Sequence, residues 1–258
     1  MEPARHLEIL RTEGERLASV PADSLDAPVP SIEGWTVERV LTHTGKVHQW
    51  GAAVLALPPG GELADVDMAA LAGMPRGPEA LPAYRASLDA VLAAFAERDP
   101  STPCPTFVGL GDVAWWLRRQ ANEIAVHRVD AADAIAAAGG PQPDPIAADA
   151  AADGVDEWAS LFLGRWAAHG DGLPDGLVGR TLHLHGTDEP APADGAEWLL
   201  TLDRRSVTVE RTHAKGDVAL RGSAQDLLLA VWRRRPLSAL DAIGDASVAE
   251  RLLDLVRL

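Results

Sequence analysis

The strongest constraint on this chain is a change of hydrophobic period partway along it. Before residue 140, apolar side chains recur at helical spacing; after residue 178 they alternate in twos. That change along the chain points to two domains, 1–145 and 146–258. Leu7, Leu10, Gly14 and Leu17 form the stripe of a first helix, which Pro21 and the prolines at 28 and 30 end. Thr36 has the oxygen an N-cap needs and starts a second helix that runs to about Leu57, before Pro58 and Pro59. From Gly60 to Pro82 glycine and proline interrupt any period, which reads as a long irregular connection.

Tyr84, Leu88, Val91, Leu92 and Phe95 make a third helix that stops near Asp99 and Pro100. A fourth starts around Asp112 and carries Val113, Trp116, Leu117, Gln120, Ile124 and Ala131 along one face. Four stripes of this length bury one another most simply in a bundle. The tract GGPQPDP, Gly139 to Pro145, reads as a stiff linker. Beyond it comes a helix with Val155, Trp158, Phe162 and Trp166 on one side. TLHLH from Thr181, EWLLTL from Glu197 and SVTVERT from Ser206 read as strands of a half-exposed antiparallel sheet. Short helices at 223–234 and 247–255 complete an α+β second half.

Composition removes several classes of function. A net charge of −15 repels phosphate backbones and argues against a general nucleic-acid binder. One cysteine, Cys104, excludes an intramolecular disulfide framework and a cysteine-rich zinc module, which suits the reducing cytoplasm. No apolar run reaches the roughly 18 residues of a membrane span, and charges run through the N-terminal segment where a signal core would be greasy.

The chemistry-bearing residues concentrate on the second and fourth helices. In NEIAVHRVD, Glu123 and His127 stand four apart and so share a helix face. His43, three residues after Val40 and four before Val47, projects from the second helix's apolar stripe. In a bundle where these helices are neighbours, two imidazoles and a carboxylate can meet around one ion. Such a set suits Zn²⁺ and also Fe²⁺, Ni²⁺ or Mn²⁺, and three ligands leave a coordination position open. Taken singly, Glu123 and His127 also fit a charge pair, and His43 fits a hydrogen-bonded core histidine. His48, five residues on, falls off that face as a supporting or surface group. His183 and His185, two apart on a strand, can chelate a metal or simply line the sheet face. Cys104 lacks an adjacent base and reads as a loop thiol. The run Arg233 to Arg235 is either a basic helix end or an anion-binding arm.

The stretches WTVERVLTHTGKVHQW (Trp35 to Trp50) and NEIAVHRVDAADA (Asn122 to Ala134) resemble the mycothiol-dependent maleylpyruvate isomerase family. So do DGVDEW from Asp153, RGSAQDLLLAVWRRRPL from Arg221 and GDASVAERL from Gly244, so the likeness spans nearly the whole chain. The resemblance implies a DinB-like four-helix bundle followed by a smaller α+β domain that is similar to sterol carriers. It implies His43, Glu123 and His127 as ligands of a divalent metal, zinc in this family. It also implies mycothiol, an actinobacterial thiol, as co-substrate, with a small electrophile as acceptor in S-transfer or cis–trans isomerisation. The alternative is a non-catalytic protein that binds a metal or an apolar ligand. The family's C-terminal active-site arginine maps to Arg234, preceded here by Arg233 where the family has a small residue.

Overall fold

The computed structural model describes residues 1–71 and 73–256. Residue 72 of the expected irregular connection, and residues 257–258 at the end of the second domain, lie outside the described residues. The chain divides into two compact units, Met1–Asp144 and Pro145–Leu258.

The first unit is a helical bundle of α1 (Pro3–Ala18), α2 (Val37–Leu55), α3 (Ala80–Ala96) and α4 (Val113–Ala137). Three of the four, α1, α2 and α4, begin where the sequence supplies a cap or a proline. Pro3 opens α1, Thr36 Oγ1 accepts from Arg39 N at 3.3 Å to start α2, and Asp112 Oδ1 accepts from Trp115 N at 2.8 Å to start α4. Helix α2 packs on α3 and α4, and α1 packs on α4 and α3, so α4 has a neighbour on two sides. That double contact buries side chains over much of α4, including Arg128, whose Nε donates to Glu13 of α1 at 2.5 Å. A two-stranded hairpin, β1 (Pro103–Thr106) and β2 (Gly109–Asp112), leads into α4. It had no signal in the alternation of the sequence, and it places Cys104 on a strand instead of in a loop.

The second unit opens with α5 (Ala148–Glu157), passes through a π-helical stretch at Trp158–Leu163 and continues as α6 (Gly164–Ala168). The wider i to i+5 winding of the π stretch admits one extra residue per turn. It corrects the expected stripe: Val155 and Trp158 are buried, but beyond them Leu163 and Ala167 take the inward positions expected for Phe162 and Trp166.

Strands β3 (Thr181–Gly186), β4 (Glu197–Leu202), β5 (Val207–Glu210), β6 (Val218–Gly222) and β7 (Asp241–Gly244) form one sheet in the order β5-β4-β3-β6-β7. The three strands expected from the sequence, β3, β4 and β5, pair antiparallel, and the sheet is mixed because β6, which the sequence did not announce, runs parallel to β3. After β5, at one edge, the chain returns past β4 and β3 and pairs along the far side of β3, where its direction matches. One face of the sheet presents Leu182, Leu184, Trp198, Leu200, Leu202, Val218 and Leu220, all fully buried, and α7 (Ala224–Val231) packs on β3 and β6. Helix α8 (Ala246–Leu255) packs on β6.

Helix α7 starts at Ser223, whose Oγ accepts from Asp226 N at 3.0 Å. It ends in a doubly hydrogen-bonded turn, Arg234 N to Leu229 O at 2.7 Å and Arg233 N to Ala230 O at 2.9 Å. That closure requires a left-handed residue at its centre, and Arg233 adopts it with φ +63°.

Candidate metal centre

Three side chains from α2 and α4 meet within the bundle. His43 Nε2 lies 3.0 Å from Glu123 Oε1, and His127 Nε2 lies 3.3 Å from the same oxygen. The three ligand atoms all stand within 4.8 Å of one another. Ligands about 2.0–2.1 Å from a tetrahedral ion stand about 3.3 Å apart, so the spacing fits a zinc-sized ion with little movement.

The surroundings fix which atoms point inward. Asp130, one helical turn beyond His127 and fully buried, takes the His127 Nδ1 at 2.8 Å. That bond leaves Nε2 as the free ligand atom and sets the ring's orientation. Arg119, one turn before Glu123, binds Glu123 Oε2 and directs Oε1 to the histidines. Trp35, in the loop before α2, lies nearly parallel to the His127 ring, 11° and 5.6 Å between centroids, and 5.1 Å from that of His43.

The electrostatics suit a cation. Burial opposes the charge on Glu123, yet the Arg119 guanidinium and His127 outweigh it and hold the carboxyl well below the usual range. Burial likewise opposes a charged His127, but the Glu123 and Asp130 carboxylates prevail and raise its pKa to about 9. Two carboxylates facing one imidazole favour positive charge at this point, whether proton or metal.

The neighbouring histidines differ from expectation. The buried stripe of α2 runs through Val40, Leu41, Thr44, His48 and Gly51, so His43 sits at its edge and keeps about a third of its side chain exposed. His48 belongs to the core instead, with no exposed surface. Its Nδ1 lies 2.7 Å from Gln120 Oε1, its Nε2 is buried without a partner, and burial lowers its pKa to about 4. Cys104 is buried beside Asp112, and burial above all raises its thiol to about 11. Arg234 lies in the second unit at the turn after α7, half-buried, its Nη1 donating to Trp232 O at 2.8 Å. Sequence reasoning missed Arg119, Asp130 and Trp35. The first two were legible as partners at i−4 and i+3 on the face already chosen.

The fold and the cluster define a two-unit protein whose helical bundle carries a histidine–glutamate–histidine centre fit for a divalent ion. Residues 7–132 match the model of the mycothiol maleylpyruvate isomerase N-terminal domain, and residues 149–251 match that of the C-terminal domain of the same proteins. The chain belongs to the mycothiol-dependent maleylpyruvate isomerase family. It shares the fold of the crystal structure of the mycothiol-dependent maleylpyruvate isomerase, at 14% identity and TM-score 0.56, covering 94% of this chain and 93% of that one. A histidine-to-alanine mutant of that isomerase matches at 15% identity with the same TM-score of 0.56 and the same coverage, 94% and 93%. No curated protein sequence matches the chain. No helix among the described residues is long and apolar enough to cross a membrane.

Proposed function

We propose that this chain is a metal- and mycothiol-dependent enzyme that catalyses thiol addition to a small electrophile. The outcome is either S-transfer or a maleylpyruvate-type cis–trans isomerisation, and His43, Glu123 and His127 hold the divalent ion, zinc. The observation that carries this reading is the meeting of three ligand atoms from two helices around one point. Three protein ligands are the number that catalytic zinc sites use, whereas structural sites are closed by four. Bound there, the ion would supply a Lewis acid that brings a thiol's pKa toward neutrality.

The chain's own residues account for the rest. Asp130 holds His127 in the tautomer that presents Nε2, and Arg119 holds Glu123 so that one oxygen faces the histidines. Trp35 covers one face of the His127 ring. The thiol has to come from a small molecule, since burial keeps the one cysteine protonated. Family membership supports mycothiol as that molecule. Arg234 is assigned to the carboxylate of the acceptor, a task for which a guanidinium's paired donors are suited.

The test pairs elemental analysis of purified protein with conjugation of mycothiol to a bimane electrophile. His127→Ala is expected to lose bound metal and thiol-dependent turnover together. Unchanged metal content in that variant would overturn the ligand assignment. Bound metal without thiol chemistry, accompanied by saturable binding of an apolar ligand, would replace the enzyme with a non-catalytic binding protein.

A further inference from the structure

A second cluster lies in the other unit, and it does not rest on the first. His183 and His185 alternate with Leu182 and Leu184 on β3, so both imidazoles leave the sheet on the face away from the leucine core. The antiparallel register sets Glu197 of β4 directly opposite His185, on the same face. His213 arrives from the connection between β5 and β6, the segment that has to cross the sheet to reach the far side of β3. The three rings stand 5.4–5.6 Å apart, each pair crossed at 75–87°.

All three histidines aim a nitrogen at one atom. His183 Nε2, His185 Nδ1 and His213 Nδ1 lie 3.0, 3.2 and 2.6 Å from Glu197 Oε2. Two of these contacts are hydrogen bonds, from His183 and His213, and they fill the two lone pairs of that oxygen, which leaves the His185 nitrogen at 3.2 Å with no lone pair to bond. Hydrogen bonding therefore accounts for two of the three imidazoles, whereas an ion among four ligand atoms within 4.8 Å of one another accounts for all of them. We propose that His183, His185, Glu197 and His213 form a second divalent-metal site, a closed four-ligand site that pins the β5–β6 connection to β3 and β4. Three nitrogens and one oxygen select a borderline transition ion such as Zn²⁺ over Mg²⁺ or Ca²⁺, which prefer oxygen ligands throughout. Four protein ligands are the signature of a structural ion.

The rest of the crossing segment is built to present His213. Two residues earlier, Arg211 donates to Asp156 Oδ1 at 2.7 Å and to Gly195 O at 3.1 Å, and lies over the Trp198 ring. Four residues later, Asp217 accepts from Thr181 N at 2.8 Å and from Arg180 at 2.7 Å. Between these anchors the chain runs close to β3, where a Cβ added to Gly216 would stand 3.1 Å from His183 N. Fixed ends and a close approach lower the entropy that an ion has to overcome in ordering the segment.

The test uses the full chain, without a histidine tag and stripped of metal, in which His43→Ala and His127→Ala together disable the bundle site. Titration with Zn²⁺ alone is expected to find one remaining equivalent, and with Co²⁺ alone the absorption of a tetrahedral centre. Adding His213→Ala, an exposed position where folding is not at risk, is expected to weaken that equivalent about 100-fold or more. His185→Ala is the second variant, with the same expectation. Zn²⁺ is also expected to raise the melting temperature of the bundle-disabled chain but not of its His213→Ala derivative. No retained equivalent, or one that neither substitution weakens, would overturn the site. Failure of the bundle site would show separately, as an intact chain that binds no more metal than the bundle-disabled one.

Discussion

Asp130 accepts from His127 across one turn of α4, at 2.8 Å and in complete burial, and so decides which nitrogen of that imidazole faces His43 and Glu123. An outer partner of this kind keeps the tautomer fixed and makes the ring a better donor. Asp130→Ala is expected to weaken metal binding about 10–100-fold with the three inner side chains intact. Competition against a chromophoric chelator measures it, and an unchanged affinity would remove Asp130 from the centre.

His48 gives the fold a pH dependence of its own. Its pKa is about 4 when buried, against 6.5 for the exposed imidazole, so the unfolded chain binds more protons between those values. The contribution is therefore complete above pH 6.5 and lost as pH falls toward 4, with a steepest slope of about 1.4 kcal/mol per pH unit. In metal-free protein, His48→Gln is expected to flatten the stability profile in that window, whatever it does to stability at neutral pH. Denaturant titrations at several pH values check this. Parallel profiles for the two proteins would contradict it.

Arg233 occupies a left-handed conformation that a side chain disfavours by about 1–2 kcal/mol. Among the described residues its side chain pairs with exposed Asp254 at 2.8 Å, an ion pair worth little in water. Arg233→Gly is expected to stabilise the chain by about 1 kcal/mol, read as a higher melting temperature. A lower one would mean that the Asp254 pair matters more than the backbone.

For Arg234 the expected signature is kinetic. Arg234→Ala should raise the KM for a carboxylate acceptor about tenfold or more while leaving bound metal unchanged. Equal KM values would free this arginine from any part in acceptor binding.

How far the sequence reached depended on whether a residue's partners lay on regular elements. His43, Glu123 and His127 were readable because helical period alone sets their faces, and the choice of α2 and α4 as neighbours did the rest. The role of His48 was misjudged because the buried stripe of α2 is rotated past His43, and only packing against α3 and α4 sets that rotation. His183 and His185 could be paired by alternation, but nothing local announced Glu197 and His213. The first depends on strand register and the second on a crossing connection. The π stretch was illegible for a different reason, since one extra residue per turn leaves no mark in composition and shows only as a displaced stripe at Leu163 and Ala167.

The alternation on β3 also protects the sheet from misalignment. A slip of a single residue against β4 would turn Leu182 and Leu184 out of the apolar layer onto the histidine face and drive two imidazoles into that layer in the same movement. Both penalties fall on the middle strand, where neighbours on either side would have to err with it. The central strand thus proofreads its own placement, and the residues that gather the ion are the ones that make a wrong placement expensive.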